Sequence, residues 1–363
     1  MLFISRLKIF YQRYERILIP GMLVLGVFVD FVTFRTISIQ STFVLLLIYW
    51  LIAGATITYI QWQKTKNQQI FQKTLEKYYN VFSPLVIQFT FGALLSASLI
   101  FYWFSGILSI SWPIIFLIAF LMIANEAFRA QYLRPVVQIS VYYFVTFSLF
   151  SLILPYVFNS ISPWIFLLSG ILSLAIMSVF VAFILLRYSH IKERAHKITV
   201  AIVGIFVFMN VMYFSNLIPP IPLSLIDAGV YQSISRFKDD YVAREEAHTI
   251  FEKIVPGMTV HITAGSSLAV FSSIFAPFDF ETQIVHEWQY FDGVHNKWVT
   301  VDKLPFSLYG GRENGYRGYS TKYNLYEGLW RVNVQTNRGQ ILGRVRFRIK
   351  VVETTPELIE IKK

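Results

Sequence analysis

Seven runs of about 20 apolar residues precede position 218, at roughly 17–34, 39–62, 81–103, 107–125, 136–154, 164–186 and 198–217. As helices, each is long enough to cross about 30 Å of hydrocarbon. A water-soluble bundle would need polar outer faces at a 3.6-residue period, and Ile114–Ile123 or Phe180–Leu186 offer none. Residues 1–217 are therefore expected to form an all-α membrane bundle of seven spans. The first run lacks a small-residue cleavage site and is followed by further spans, which favours a span over a signal peptide.

Charge supports this division. The formal net charge of +11 suggests a nucleic-acid partner until it is located: residues 1–217 carry +10 and residues 218–363 only +1. Fourteen cations lie before the first span and after the second, fourth and sixth, in clusters such as Arg6–Arg16, Lys64–Lys77 and Arg187–Lys197; the alternate connections hold only Arg35. That asymmetry is the positive-inside pattern, with a cytoplasmic N-terminus and everything after the seventh span outside. The surplus reports topology and names no nucleic acid. Tyr49, Trp50, Trp62, Trp103, Trp112 and Trp164 fall near expected span ends, as an aromatic belt requires. Between spans, Gln63–Asn80 is polar except for Phe71, Leu75 and Tyr78 on one helical face, and reads as an interfacial or protruding helix. No internal repeat appears among the spans, which weighs against an inverted-repeat transporter.

Pro219, Pro220 and Pro222 end the last span and open a linker and lead-in segment, 218–258. From 259 the chain reads as strands at 259–264, 267–275, 282–291, 297–302, 305–309, 316–322, 328–336 and 341–352, separated by turns such as Asp292-Gly293 and Asn337-Arg338-Gly339. Seven or eight short antiparallel strands suggest an all-β, sandwich-like (Ig-like) domain over 259–363, with a partly open barrel as the alternative.

A turn at Arg338-Gly339 sets Trp330, Val332 and Val334 opposite Phe347, Val345 and Gly343 on one face. The other face holds Arg331, Arg344, Arg346, Arg348 and Lys350. Such a stripe suits an anionic lipid, an acidic envelope polysaccharide or an acidic periplasmic protein. The competing reading, which the sequence favours, is a solvated edge strand whose charges discourage aggregation, partly neutralised by Glu287 or Glu281. A second candidate is the segment Gly310–Lys322, in which Arg312, Arg317 and Lys322 offer cations and Tyr316 and Tyr319 flat faces for a sugar. Equally, Arg317 there could form an internal salt bridge. The segment has no Walker spacing.

Chemistry finds little support. With no cysteine there is no thiolate metal site or thiol nucleophile, and no metal or cofactor is implied. His286, Glu287, Asp292 and His295 lie close in sequence, but on a strand His286 and Glu287 point to opposite faces and Asp292 suits a turn. No catalytic constellation emerges. Within the spans, Asp30 and Glu126 are functional suspects, because ionisable groups are expensive in hydrocarbon; both fall near expected interfaces, which favours structural placement.

The segments Ile284-Val285-His286-Glu287-Trp288, Gly315–Lys322, Gly328-Leu329-Trp330-Arg331-Val332 and Gly339–Gly343, leading into Arg346-Phe347, resemble a bacterial family known as domain of unknown function 2914. The resemblance covers about the last 100 residues, with Tyr319 standing where the family favours a bulkier aromatic. The multi-span region is similar to the membrane domain that often precedes this module. The resemblance implies a Gram-negative inner-membrane protein with a periplasmic module, and brings no activity, cofactor or catalytic residue. The leading expectation is a non-enzymatic envelope protein whose periplasmic domain binds a ligand or partner. Its alternatives are a transporter or intramembrane enzyme regulated by the β domain, and a periplasmic hydrolase using His286 and Asp292.

Overall fold

A computed structural model describes residues 27–28, 30–32, 39–65, 74–105, 108–127, 134–221, 223–237, 240–246, 258–276, 281–309, 316–354 and 357–363. The chain divides into two compact units, one helical and one of β-sheet, each with its own core. The helical unit is built from α1 (Ile39–Thr65), α2 (Thr74–Phe104), α3 (Leu108–Ala127), α4 (Pro135–Val157), α5 (Pro163–Arg187), the single turn α6 (Ser189–Lys192) and α7 (Ala195–Phe214). Among the described residues five helices are long and apolar enough to cross a membrane, and Ile110–Asn125 is a shorter apolar helix. Most of the first expected span, and Phe71 of the interfacial helix, lie outside the described residues.

α4 is the centre of the bundle: 78% of its span is buried, against 33% of α5, and it packs against α1, α5 and α7. Hydrogen bonds and aromatic contacts join it to its neighbours. Trp50 Nε1–H donates to Thr146 Oγ1 at 2.9 Å and Gln61 Nε2–H to Gln138 Oε1 at 3.0 Å, joining α1 to α4. Tyr102 and Ser151 share a 3.1 Å hydrogen bond between α2 and α4. α5 starts on Ser162, whose hydroxyl accepts the Trp164 N–H, with Pro163 in the first helical turn, where its missing N–H costs nothing.

Among its described residues the second unit has eleven strands: β1 (Ser224–Tyr231), β2 (Ser233–Phe237), β3 (Asp240–Glu246), β4 (Met258–Ile262), β5 (Leu268–Phe275), β6 (Glu281–Asp292), β7 (Lys297–Tyr309), β8 (Tyr316–Lys322), β9 (Gly328–Thr336), β10 (Ile341–Val351) and β11 (Leu358–Lys362). They form three sheets, ordered β4-β10-β9-β6-β7, β1-β5-β8 and β11-β3-β2. The β9–β10 pairing is the expected one, with Trp330 opposite Phe347, Val332 opposite Val345 and Val334 opposite Gly343. Gly339 holds a positive φ of 82° in the connecting turn, a conformation that disfavours any Cβ.

Three features depart from expectation. The stretch read as linker and lead-in carries β1, β2 and β3: β2 and β3 pair with each other, while β1 pairs with β5 and β3 with β11, partners too distant in sequence to leave a local signal. β4 runs parallel to β10 rather than antiparallel. Residues 297–309 are one continuous strand, paired with β6 through Lys303 and Leu304, with the one irregularity at Val301, between Thr300 and Asp302.

The main core joins Val230, Val260, Leu268, Val270, Trp288, Trp330, Val332, Phe347 and Ile349, residues from two of the sheets. β5 is buried along both faces: Leu268 and Val270 enter this core, while Phe271 packs with Tyr231 and Ala243 in another cluster. A near-continuous apolar strand sequence is what two-sided burial demands. His286 sits inside, fully buried, with Nε2 2.9 Å from Ser272 Oγ on β5 and Nδ1 2.8 Å from Ser320 Oγ on β8. Trp288 Nε1–H donates to the same Ser320 Oγ at 3.1 Å. A neutral imidazole needs one donor and one acceptor, and two hydroxyls supply both.

Burial pushes the His286 pKa down to about 3. The unfolded chain binds a proton at this residue below about pH 6.5, whereas the folded state does not until about pH 3, so its contribution falls as pH drops through that window. His286→Gln, which keeps a donor and an acceptor but does not titrate, is expected to flatten the decline by about 2 kcal/mol between pH 6.5 and 5. Unfolding of both proteins followed across that range checks this; parallel profiles would refute it.

Candidate anion-binding face

Alternation along β9 and β10 puts Trp330, Val332, Val334, Phe347 and Ile349 in the cores and turns Arg331, Asn333, Arg344, Arg346, Arg348 and Lys350 the other way. β10 lies between β4 and β9, but β4 pairs only with Phe347–Val351, and among the described residues 341–346 pair with β9 alone. Protection of an exposed edge, the reason the sequence favoured for these charges, therefore does not apply to Arg348 and Lys350, nor to Arg331 on β9, which lies between β10 and β6. The same face continues onto β6 through Glu287 and Gln289, opposite Asn333 and Arg331, and onto β7 through Lys303 and Thr300.

These side chains form one connected network. Arg331 Nε–H donates to Gln289 Oε1 at 2.6 Å and Arg344 Nε–H to Asn333 Oδ1 at 2.6 Å. Asn333 Nδ2–H donates to Glu287 Oε2 at 3.0 Å and to Gln289 Oε1 at 3.3 Å. Gln289 Nε2–H reaches Thr300 Oγ1 at 3.0 Å, and the Thr300 hydroxyl donates to Glu287 Oε1 at 3.1 Å. Lys303 Nζ stands 3.5 Å from the same carboxylate oxygen. Glu287, Gln289 and Asn333 are buried beneath the longer side chains, although no core lies on this side. The Arg331 guanidinium also lies over the Trp298 ring, 4.3 Å from its centroid.

The balance of charge is one-sided. Arg346 pairs across the strands with Arg331, a like-charge contact that costs stability. Burial, then the charges of Arg344 and Arg346, push the Arg331 pKa down to about 10, with Glu287 opposing. Arg344 is lowered for the same reasons, burial first. Both stay charged at neutral pH. Among the described residues Arg346, Arg348 and Lys350 make no ion pair and no side-chain hydrogen bond.

The second candidate segment disperses. Arg312 lies outside the described residues. Tyr316 packs against the core cluster around Ile274 and Leu342. On the opposite face of β8, Arg317 donates from Nη1 to the Lys363 backbone oxygen at 2.7 Å and to Asp240 at 3.3 Å, and the half-exposed Tyr319 meets Tyr241 edge-on. Lys322 pairs with Asp302 at 2.9 Å. The internal salt bridge at Arg317, one of the two readings left open, is the one present.

The remaining suspects separate too. Asp292 closes a turn, accepting the Val294 and His295 backbone N–H groups and facing His295 Nδ1 at 2.6 Å, and that last contact holds its carboxyl below the usual range. His286 and Asp292 stand six residues apart on β6, ~20 Å along the strand, so they share no acid–base geometry. Asp30 is half-buried in helical backbone. Glu126 ends α3, and its side chain lies outside the described residues. What the sequence missed is the amide scaffold of Gln289, Asn333 and Thr300. Period-two alternation from Arg331 places Asn333 on the face, but the β6–β9 pairing that brings Gln289 there has no local signature.

Residues 281–349 match the family described as a protein of unknown function (DUF2914). The DUF2914 match starts at β6 and ends within β10, taking in Glu287, Arg331, Arg344, Arg346 and Arg348. No family is assigned to the helical half. No curated protein matches the chain. Among solved structures, a β-glucosidase from Listeria innocua, in complexes with gluconolactone and with glucose, aligns at 14% identity over 31% of this chain and 16% of its own length, with a TM-score of 0.19. The Pseudomonas fluorescens alkylpurine DNA glycosylase AlkC, bound to DNA containing an abasic site analog, aligns at 10% identity over 83% of this chain and 96% of its own, with a TM-score of 0.22. Likeness at this level carries no argument about fold or function.

Arg346→Glu converts the like-charge pair with Arg331 into an opposite-charge pair. It is expected to stabilise the β half by about 0.2–1 kcal/mol, seen as a higher unfolding midpoint at low salt that converges on wild type at high salt. A lower midpoint would show that Arg346 has a structural role.

Proposed function

We propose that the chain is a multi-pass protein of the bacterial inner membrane, with a cytoplasmic N-terminus and seven spans, that presents a periplasmic β-sandwich whose outward face binds an anionic ligand or partner without catalysing a reaction. The membrane assignment draws support from the five long apolar helices, and the orientation from the cations clustered before the first expected span and after the second, fourth and sixth. A core shared between the five-stranded sheet and the sheet of β1, β5 and β8 supports the sandwich. The single observation that carries the binding function is the set of unpaired cations on the face of β10, of which Arg348 and Lys350 lie where the strand has neighbours on both sides. The core requires no charge on this face, and at those two positions neither does an edge.

Because the chain has no cysteine, single cysteines report topology without background. In spheroplasts a membrane-impermeant maleimide is expected to label Val294→Cys, on the exposed β6–β7 turn, and to spare Lys192→Cys until the cells are lysed. The opposite pattern would invert the orientation.

Binding is tested with the full-length protein in detergent, against anionic lipid, lipopolysaccharide, peptidoglycan fragments and acidic periplasmic proteins. An Arg346→Ala, Arg348→Ala double variant is expected to lose tenfold or more in affinity, increasingly so at low salt. Absence of binding to any of them would remove the proposal's support.

A further inference from the structure

Two of the cations differ from ordinary surface arginines. Arg331 and Arg344 are each held through Nε alone, by Gln289 Oε1 and Asn333 Oδ1, both at 2.6 Å. Those amides are themselves held by Thr300 and Glu287. The terminal Nη groups of both arginines have no hydrogen-bond partner among the described residues. A guanidinium fixed at Nε with its Nη edge free is a pre-organised fork for an oxyanion. Arg346 faces Arg331 directly across the strands, and Arg344 lies on the diagonal, about 7–8 Å away by backbone spacing. Three guanidiniums thus share one patch of sheet, close enough that the charges of Arg344 and Arg346 both act on Arg331, whose own guanidinium lies over Trp298.

Resting on the anion-binding reading above, we infer that Arg331, Arg344 and Arg346 form a site for a phosphomonoester. Charge and donor number favour this group over other anions. Counting Glu287 in full, the three guanidiniums leave a surplus of two positive charges, and Lys303, beside Glu287, only increases it. A carboxylate or a phosphodiester brings one negative charge. A phosphomonoester brings nearly two at neutral pH and three terminal oxygens, one for each fork. Glu287 acts here as a positioning residue: through Asn333 it orients Arg344, and it keeps the three cations together while the site is empty. A phosphomonoester comes from two sources, a lipid headgroup or a soluble molecule.

The test uses the full-length protein in phosphatidylcholine nanodiscs, with calorimetry against glycerol 3-phosphate, dimethyl phosphate and acetate. Glycerol 3-phosphate is expected to bind at least tenfold more tightly than the other two. Arg346→Ala, at an exposed position, and Arg331→Lys, which keeps the charge and removes the fork, are each expected to cost tenfold or more, Arg346→Ala with an unfolding midpoint at or above that of wild type and Arg331→Lys with a cooperative unfolding transition retained. Capture of the nanodiscs by phosphatidate vesicles, in preference to phosphatidylglycerol vesicles, identifies the lipid source; binding of glycerol 3-phosphate without capture identifies the soluble one. Equal affinity for all three small anions, or binding confined to acidic polymers, overturns the phosphomonoester site and leaves the anionic-ligand reading standing. If no anion of any kind binds, both fail.

Discussion

The register of β9 against β10 is the constraint on which the rest of the β half depends. With Trp330 opposite Phe347, every second residue of both strands enters the core and every other one leaves it. A slip of one residue would drive Arg331 and Arg346 inside and expose two of the largest core side chains, reversing the solvation of both faces. The Gly339 turn sets this register locally, and burial of Trp288, Trp330 and Phe347 enforces it from a distance.

That register concentrates like charge, and the sheet moderates the cost without removing it. Glu287, Gln289 and Asn333 have every polar side-chain atom hydrogen-bonded within the network, so the desolvation that accompanies their burial is offset. One carboxylate among three arginines supplies cohesion without neutrality. Had electrostatic stability been the whole purpose, a second acidic residue opposite Arg331 in place of Arg346 would have served better. The structure holds Arg331 and Arg344 through Nε and leaves their Nη groups without a hydrogen-bond partner among the described residues.

Much of this was legible in the sequence because the relevant information is local. Apolar runs near 20 residues marked the helices, and alternation with a Gly-containing turn gave the β9–β10 pairing and both of its faces. What was not legible depends on contacts between distant segments. β1 and β3 read as linker because short mixed strands such as Asp240–Glu246 make sense only once their distant partners, β5 beside β1 and β11 beside β3, are in place. Position in the sheet was hidden for the same reason: no local pattern announces that β4 joins β10 in parallel, and that neighbour removes the edge-strand explanation of Arg348 and Lys350. In the Tyr316–Lys322 segment, residue types suited to recognition were present, but alternation sent Tyr316 and Arg317 to opposite faces and gave Arg317 and Lys322 internal partners.

The residues that carry the DUF2914 resemblance straddle the sheet. His286 and Trp288 point inward while Glu287 between them points outward; Trp330 and Arg331 divide in the same way, as do Phe347 and Arg346. The inward members have a sufficient cause in packing. They also need material beyond the matched segment: Val230, Val260, Leu268 and Val270 complete their core, and Ser272 supplies half of the hydrogen bonding of His286. The physical domain therefore begins well before residue 281, with β1, and includes strands that the match omits. No such cause acts on the outward members, since Arg346 is exposed, opposes another arginine and fills no space in the core. Packing and electrostatic stability thus account for the inward members of each pair and leave Arg346 without a cause inside the fold.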